Sequence, residues 1–346
     1  MTKSLALVSA LFSLSSVLSQ IGGEGVFPSM HLPYSARHVS MGGNAIAAFD
    51  QDVSMGLHAP SLLHENHHKM AVFSHSILAG GINYGQFGYA QQIKDKANFW
   101  STSFRYVSYG NMAHTLPTGE QVGTFSAGDV IASIGYGQRR NEVVSYGANL
   151  NLAFSSLETY QAFGATIDFS GTLNFAEQNT VVTALVRNVG AQFVGYVTDN
   201  REPINANPMI AVSHKLEHAP FRVGLVAQHL NRWDIAFYDP NAQASIDPFT
   251  NELIEPDQPN FLGKVMHHVV FNVEALLGKH LAIRAGFNYK QREEMKVQNR
   301  YGMSGFSLGM GLAIKKFQFQ YGFNAVSAAG FSNMFTLSTN INEWKK

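Results

Sequence analysis

Val144-Ser145-Tyr146-Gly147-Ala148-Asn149-Leu150-Asn151-Leu152-Ala153-Phe154-Ser155 is the stretch whose reading decides the fold. Val144, Tyr146, Ala148, Leu150, Leu152 and Phe154 fall on one face of an extended chain, and Ser145, Gly147, Asn149, Asn151 and Ser155 on the other. A period of two, with one greasy and one wet side over about ten residues, has the length and polarity of a tilted membrane-spanning β-strand.

The same pattern recurs outward from this stretch. Trp100, Phe104 and Tyr106 oppose Ser101, Ser103 and Arg105, and Phe163, Ala165, Ile167 and Phe169 oppose Gly164, Thr166 and Asp168. Leu281, Ile283, Ala285, Phe287 and Tyr289 oppose Arg284, Asn288 and Lys290, and Phe306, Leu308, Met310, Leu312 and Ile314 oppose Ser307, Gly309 and Gly311. A soluble sandwich alternates in the same way, so alternation alone leaves both architectures open.

Connection lengths separate them. Strands are expected near 70–78, 82–92, 97–109, 128–138, 142–155, 158–170, 179–189, 207–217, 220–230, 264–277, 280–292, 303–314, 316–326 and 332–342. Connections after even strands are mostly tight, whereas the four longest, 110–127, 190–206, 231–263 and 293–301, follow odd strands. Short turns on one rim and long loops on the other are the asymmetry of an outer-membrane barrel, with both termini on the periplasmic side. The stretch 171–178 is longer than this rule wants. The expected fold is all-β: a transmembrane barrel of about fourteen antiparallel strands over residues 69–346, with an N-terminal plug over 20–68.

Composition points the same way. Charged residues make up 14% and aromatics 12%, less charge than a soluble protein of this size carries. Lys plus Arg equals Asp plus Glu at 24 each, so nothing suggests nucleic acid as a partner. The apolar run from Leu5 to Leu18, with Val17 and Ser19 before Gln20, reads as a signal peptide over 1–19. The absence of Cys excludes a lipoprotein signal and any disulfide.

Residues 33–63 make a poor helix and a poor strand, because paired glycines and acids two apart favour turns. Such a segment must be held by something else, and the barrel supplies the holder. The residues expected to seat it are Arg37, Gly42, Gly43, Asp50, Asp52 and Pro60. Charges on a lipid face cost about 2 to 4 kcal/mol at the midplane, so Arg105, Asp168, Arg187, Glu274, Arg284 and Lys290 are assigned to the lumen, with Lys215 and Arg222. The lumen is then basic, and Asp50 and Asp52 either pair with its arginines or make a polar turn.

Three features touch on chemistry. His64-Glu65-Asn66-His67-His68 satisfies the zinc-protease spacing, but that spacing needs a helix to put both rings on one face, and no long helix can hold it here. His267-His268 is expected within strand ten, with its rings on opposite faces. No nucleophile has a partnered base, and no metal or cofactor site is assigned. The loop 231–263 sets Trp233, Phe237, Tyr238, Phe249 and Phe261 among prolines and acids, a stiff aromatic surface assigned to docking a partner, with a bare solvated lid as the alternative.

Ser35-Ala36-Arg37 followed by Met41-Gly42-Gly43, an acidic pair and a Pro-containing apolar turn resembles the amino-terminal region of the FadL-like barrels, and especially the PorV and PorQ group of the type IX secretion system of Bacteroidota. Gly123-Thr124-Phe125-Ser126-Ala127-Gly128-Asp129, Arg187-Asn188-Val189-Gly190 and Leu230-Asn231-Arg232-Trp233-Asp234 are similar to the PorQ branch, as are the stretches 155–160 and 215–222. Ala59-Pro60-Ser61 stands where the family commonly has Asn-Pro-Ala. The resemblance implies an integral outer-membrane protein of about fourteen strands in a cell-surface attachment complex. Its implied partners are a PorZ-like surface protein, a PorU-like sortase, a PorV-like barrel, and outer-membrane lipid with anionic lipopolysaccharide. The implied role is anchoring rather than catalysis; a FadL-like passive transporter of hydrophobic compounds is the alternative.

Overall fold

The computed structural model describes residues 25–94, 97–236, 245–246, 253–254, 260–295, 302–327 and 330–344. The expected signal peptide, 1–19, lies outside the described residues, as do residues 20–24. Fourteen strands close a barrel: β1 (Met70–Ile77), β2 (Asn83–Gln92), β3 (Asn98–Thr115), β4 (Gln121–Arg139), β5 (Val144–Leu157), β6 (Tyr160–Phe175), β7 (Thr180–Val194), β8 (Asn207–Lys215), β9 (Phe221–Ala227), β10 (Val269–Leu277), β11 (Leu281–Asn288), β12 (Phe306–Ile314), β13 (Phe317–Ser327) and β14 (Gly330–Asn340). Each pairs antiparallel with the next, and β14 returns to β1 in a register running from Met70↔Asn340 to Ile77↔Asn333. Closure leaves no edge strand within the wall, the condition for a sheet to sit in hydrocarbon.

Alternation maps onto the two faces as the residue types require. On β5, Leu150, Leu152 and Phe154 are exposed outward while Asn149, Asn151 and Ser155 are buried in the bore. Phe73, Phe87, Phe104, Ile134, Phe169 and Leu308 extend the apolar exterior around the circumference. This surface is stable only against lipid, since water would meet a continuous apolar belt far larger than a soluble monomer exposes.

Several boundaries differ from the sequence expectation. The stretch 110–127 is mostly strand: β3 and β4 run past their neighbours as a two-stranded ribbon closed by a turn at 116–120. β6 reaches Phe175, so the connection to β7 is a tight turn and the apparent exception disappears. Strand ten starts at Val269 instead of 264, because a helix, α3 (Phe261–His267), precedes it with Asn260 as its cap. His267 therefore ends a helix and His268 caps it, so neither lies within a strand. Strand eleven stops at Asn288, which caps the helix α4 (Tyr289–Glu294), and Lys290 is consequently a rim-helix residue paired with Glu294 at 2.7 Å rather than a strand residue of the lumen.

The N-terminal segment fills the bore. It starts near the long-loop end, where the Val26 amide donates to the Pro203 carbonyl at 3.1 Å, and reaches β1 at the turn end. Its helices are short, α1 (Ala36–Ser40) capped by Ser35 and α2 (Val53–His58) capped by Asp52, and helices of five and six residues do not persist alone in water. Enclosure holds them. Met55 and Leu62 pack on inward-facing Val181, Leu185, Met209 and Ala211, so part of the inner wall is apolar rather than wet. Pro60 lies against Gly137 and Gly147 of β4 and β5, and a side chain at Gly147 would meet the Pro60 ring at 2.8 Å. Glycine on the polar face of these strands thus makes room for the plug.

Candidate functional site: the plug seat

Three arginines and three carboxylates meet where the plug reaches the turn end. Arg37 of α1 bonds both oxygens of Asp50, through Nη1 at 2.7 Å and Nη2 at 2.8 Å, and its Nη2 also reaches Glu274 Oε2 at 2.8 Å. Arg222 of β9 bonds Asp50 Oδ2 at 2.7 Å and Glu274 Oε2 at 2.8 Å through one nitrogen. Arg284 of β11 donates Nε to Glu274 Oε1 and Nη1 to Gln320 Oε1, each at 2.8 Å. Gln320 then donates to Asp52 Oδ2 at 3.0 Å, while Asp52 Oδ1 accepts from the Ser54 amide at 3.0 Å as the cap of α2. Asp50 therefore meets one wall arginine, Arg222; Asp52 meets the plug's own Arg37 at 3.6 Å.

Burial of the charges explains why all six are needed. Glu274 is fully buried and Arg37 nearly so, and an ion taken from water costs several kcal/mol unless opposite charges and hydrogen bonds replace the solvent. Burial alone would raise the Asp50 carboxyl, but the guanidinium groups of Arg37 and Arg222 hold it well below the usual carboxylate range. Burial acts on Asp52 in the same sense and is likewise outweighed, first by Arg37 and then by the Ser54 hydrogen bond. A cavity of about 620 Å³ opens below, lined by the network together with Gln51, Lys215, His218 and Gln318.

The other lumen charges lie farther up and are met by neutral groups. Arg105 donates to Ser133 Oγ and Asn151 Oδ1, each at 2.9 Å, and its guanidinium lies 5.4 Å from the centre of the Tyr34 ring of the plug. Arg187 donates to the Met30 carbonyl of the plug at 2.7 Å. Asp168 accepts from the Asn188 amide at 2.7 Å and Asn151 Nδ2 at 2.9 Å. Asp129, which the strand assignment left on a boundary, is also buried and accepts from Tyr109 at 2.9 Å. The wall's Arg105, Arg187, Arg222 and Arg284 exceed Asp129, Asp168 and Glu274 by one, and the plug's Asp50 and Asp52 exceed Arg37 by one, so the two cancel.

Gly42 and Gly43 adopt φ of 84° and 101°, a left-handed region that favours glycine. Gly42 also presses on Val270 and Gly286 of the wall, and its amide donates to Ser307 Oγ at 2.9 Å. Sequence patterning missed four plug histidines, His38, His58, His64 and His67, as bore residues. The His38 and His58 rings meet edge to face at 4.5 Å, and the His64 and His67 rings at 4.1 Å. Burial drives His38 and His67 down to about 3, so both are neutral near pH 7.

The zinc-protease spacing is spent on structure. Glu65–His67 is a single turn, Glu65 pairs with Arg139 at 2.7 Å, His67 Nε2 donates to the Asp50 carbonyl at 2.9 Å, and His68 Nδ1 accepts from the Gln92 amide at 3.3 Å. Among the described residues no three His, Asp or Glu side chains group as metal ligands. At the long-loop end Trp233 and Phe261 are exposed with ring centres 5.4 Å apart, and His268 Nε2 lies 3.1 Å from the Trp233 carbonyl. Phe237, Tyr238 and Phe249 lie outside the described residues.

No protein-family model and no curated protein matches this sequence. Solved structures do. The chain is similar to a mutant of the monoaromatic hydrocarbon channel TodX at 12% identity, over 89% of this chain and 99% of that one, with a TM-score of 0.55. It is similar to the toluene transporter TodX of Pseudomonas putida at 10% identity, over 89% and 96%, with a TM-score of 0.52. A FadL homologue of Pseudomonas aeruginosa matches at 9% identity, over 89% and 98%, with a TM-score of 0.51. At such identities the likeness carries the fold and not the cargo. The fold is that of the FadL-type outer-membrane barrels: fourteen strands around an N-terminal segment.

Proposed function

We infer that this protein is a non-enzymatic barrel of a Gram-negative, Bacteroidota-type outer membrane that anchors a PorZ-like surface protein within a type IX secretion attachment complex. There it works beside a PorV-like barrel and a PorU-like sortase while cargo is joined to anionic lipopolysaccharide. The observation that carries the reading is the way the plug is tied into the bore. The plug is tied to the wall by a charge-balanced ionic network at one end and by Arg105 and Arg187 farther up, an arrangement suited to a rigid mount. The sequence stretches similar to the PorQ branch supply the partner assignment. Affinity purification from detergent-solubilised membranes tests it: co-recovery of a PorZ-like protein is expected, and its absence with normal cargo attachment in a deletion strain overturns the reading.

One observation favours a second reading, passive transport of hydrophobic compounds: solved structures of this fold include a channel for monoaromatic hydrocarbons. Loss of hydrocarbon or fatty-acid uptake in the deletion strain, with cargo attachment intact, would favour transport.

A further inference from the structure

The β3–β4 ribbon carries the sheet past closure, as the end of β7 beyond Arg187 also does. β2 ends its pairing at Asn83↔Ser108 and β5 at Ala127↔Leu157, yet β3 and β4 continue together from Asn111↔Ser126 to Thr115↔Gln121. Five residues of extended chain carry the ribbon about 15 Å past the rim. Unpaired strand edges cannot lie in hydrocarbon, where each orphaned amide costs several kcal/mol, so the ribbon stands in water.

Edges in water are normally guarded by lysine, proline or a sharp twist. This one carries little protection. Residues 111–126 contain no Lys or Arg, Glu120 is the sole acid, and Pro117 sits in the terminal turn. The β3 edge is blunted by a bulge at Tyr109-Gly110; β4 runs straight through Gly123–Ala127 and has its own bulge at Val122, toward the tip. Direction of the backbone groups follows from one bond: the Ser126 carbonyl accepts from the Glu158 amide at 3.2 Å, which places the Ser126 N–H and C=O on the side of β5. Strand alternation then turns the N–H and C=O of Thr124 outward on that same side, beyond the last residue of β5. Gly123, Thr124 and Ser126 are small, leaving the approach sterically open. His114, opposite Gly123 near the tip, lies 3.2 Å from Glu158 and holds the ribbon toward the β5–β6 turn.

We propose that the outer edge of β4 at Gly123–Ser126 receives an extended strand of a water-soluble surface protein, which continues the β4–β5 ladder past the point where β5 turns away. The ladder geometry is already set by β5, so the incoming strand needs only backbone groups and small side chains to join it. This deepens the anchoring reading and rests on it: the partner is the mounted surface protein, and the contact is main-chain pairing rather than the aromatic patch at Trp233.

Amide hydrogen exchange measured on native outer membranes and on the purified barrel tests it. Slower exchange over 121–127 in native membranes, lost in Thr124→Pro but kept in Thr124→Val, is expected, because proline removes the outward donor without touching the β3–β4 bonds. Equal exchange over 121–127 with protection at 230–236 and 260–268 overturns the strand proposal and leaves anchoring standing. Equal exchange over the entire long-loop rim removes both. Protection reproduced by purified barrel in protein-free lipopolysaccharide vesicles assigns the edge to lipid and overturns the proposal.

Discussion

Residues 26–63 form two helices of five and six residues and a few single turns, yet most of their side chains are buried. Residues 111–126 form a regular two-stranded ladder, yet nearly all of their side chains are exposed. Regular hydrogen bonding and burial are thus separable sources of order in one chain. The plug is fixed from outside, by charges and close backbone contacts with the wall, because its sequence cannot fix itself. The ribbon is fixed from within by its own ladder and owes the wall only its base and the His114–Glu158 contact. A change in the wall should therefore disturb the plug strongly, and a change in the ribbon should disturb nothing but what docks there.

The largest effect is expected at Glu274, which accepts from Arg37, Arg222 and Arg284. Glu274→Ala leaves three guanidinium groups with two carboxylates, and breaking a buried pair costs about 3 to 5 kcal/mol. The barrel's thermal midpoint should drop, and Arg37 should become a tryptic site in the folded protein. An unchanged midpoint with Arg37 still resistant would mean that the plug is held by packing alone.

The glycine pair sharpens the same contrast inside the plug. Gly42→Ala adds left-handed strain and a clash with Val270, about 2 to 4 kcal/mol together, while Gly43→Ala meets no atom within 4 Å and should cost about 1 to 2 kcal/mol for strain only. Equal losses in the two variants would show that contact with the wall at Gly42 contributes nothing.

Acid should loosen the plug before it touches the ladder. His38 and His67 sit near 3 in the folded protein against 6.5 in an open chain, chiefly through burial. Their buried His38 Nε2 and His67 Nδ1 atoms have no acceptor for an added proton among the described residues. Between those two values the unseated plug binds protons that the seated plug refuses, so seating strengthens as pH rises and is complete above about 6.5. Each histidine contributes a slope of about 1.4 kcal/mol per pH unit within the window. Asp50 and Asp52, held below their usual range, add a further loss as pH falls through the carboxylate range. Thermal midpoints from pH 7 to 4 should fall, and His67→Gln should flatten the curve; a level profile in the parent protein would remove the histidines from the account.

How much of this was legible in the sequence depends on where each residue had to choose between two media. Between lipid and bore, apolar and polar residues must alternate, so the positions of the fourteen strands were readable from period taken together with the turns and loops between them. Past the rim both faces meet water and the constraint vanishes, which is why Asn111–Thr115 and Gln121–Ser126 read as loop. Phe261–His267 misled for the opposite reason: a seven-residue apolar-rich run next to a strand fits either period. In the plug, Arg37, Asp50 and Asp52 were legible as charges needing partners, and Arg222 as a lumen cation, but which partners they took depended on contacts 172 to 237 residues apart along the chain. The histidines carried no signal, since a buried neutral imidazole and a solvated one look alike in sequence. Asp129 was missed because it sits at the start of a strand segment whose true length was hidden.

The smallest effects belong to the ribbon, and their smallness is the test. Glu120→Lys and Val122→Thr change exposed side chains at its tip and should move the thermal midpoint by no more than about 0.5 kcal/mol equivalent, as surface substitutions do. Glu120→Lys should nonetheless weaken any strand docked on the β4 edge, because a lysine beside an open edge guards it against pairing. A large loss of barrel stability from either variant would mean that the ribbon packs against the rim and is not free-standing. Order by enclosure and order by pairing would then be the same thing in this protein, and the ribbon would no longer offer an edge.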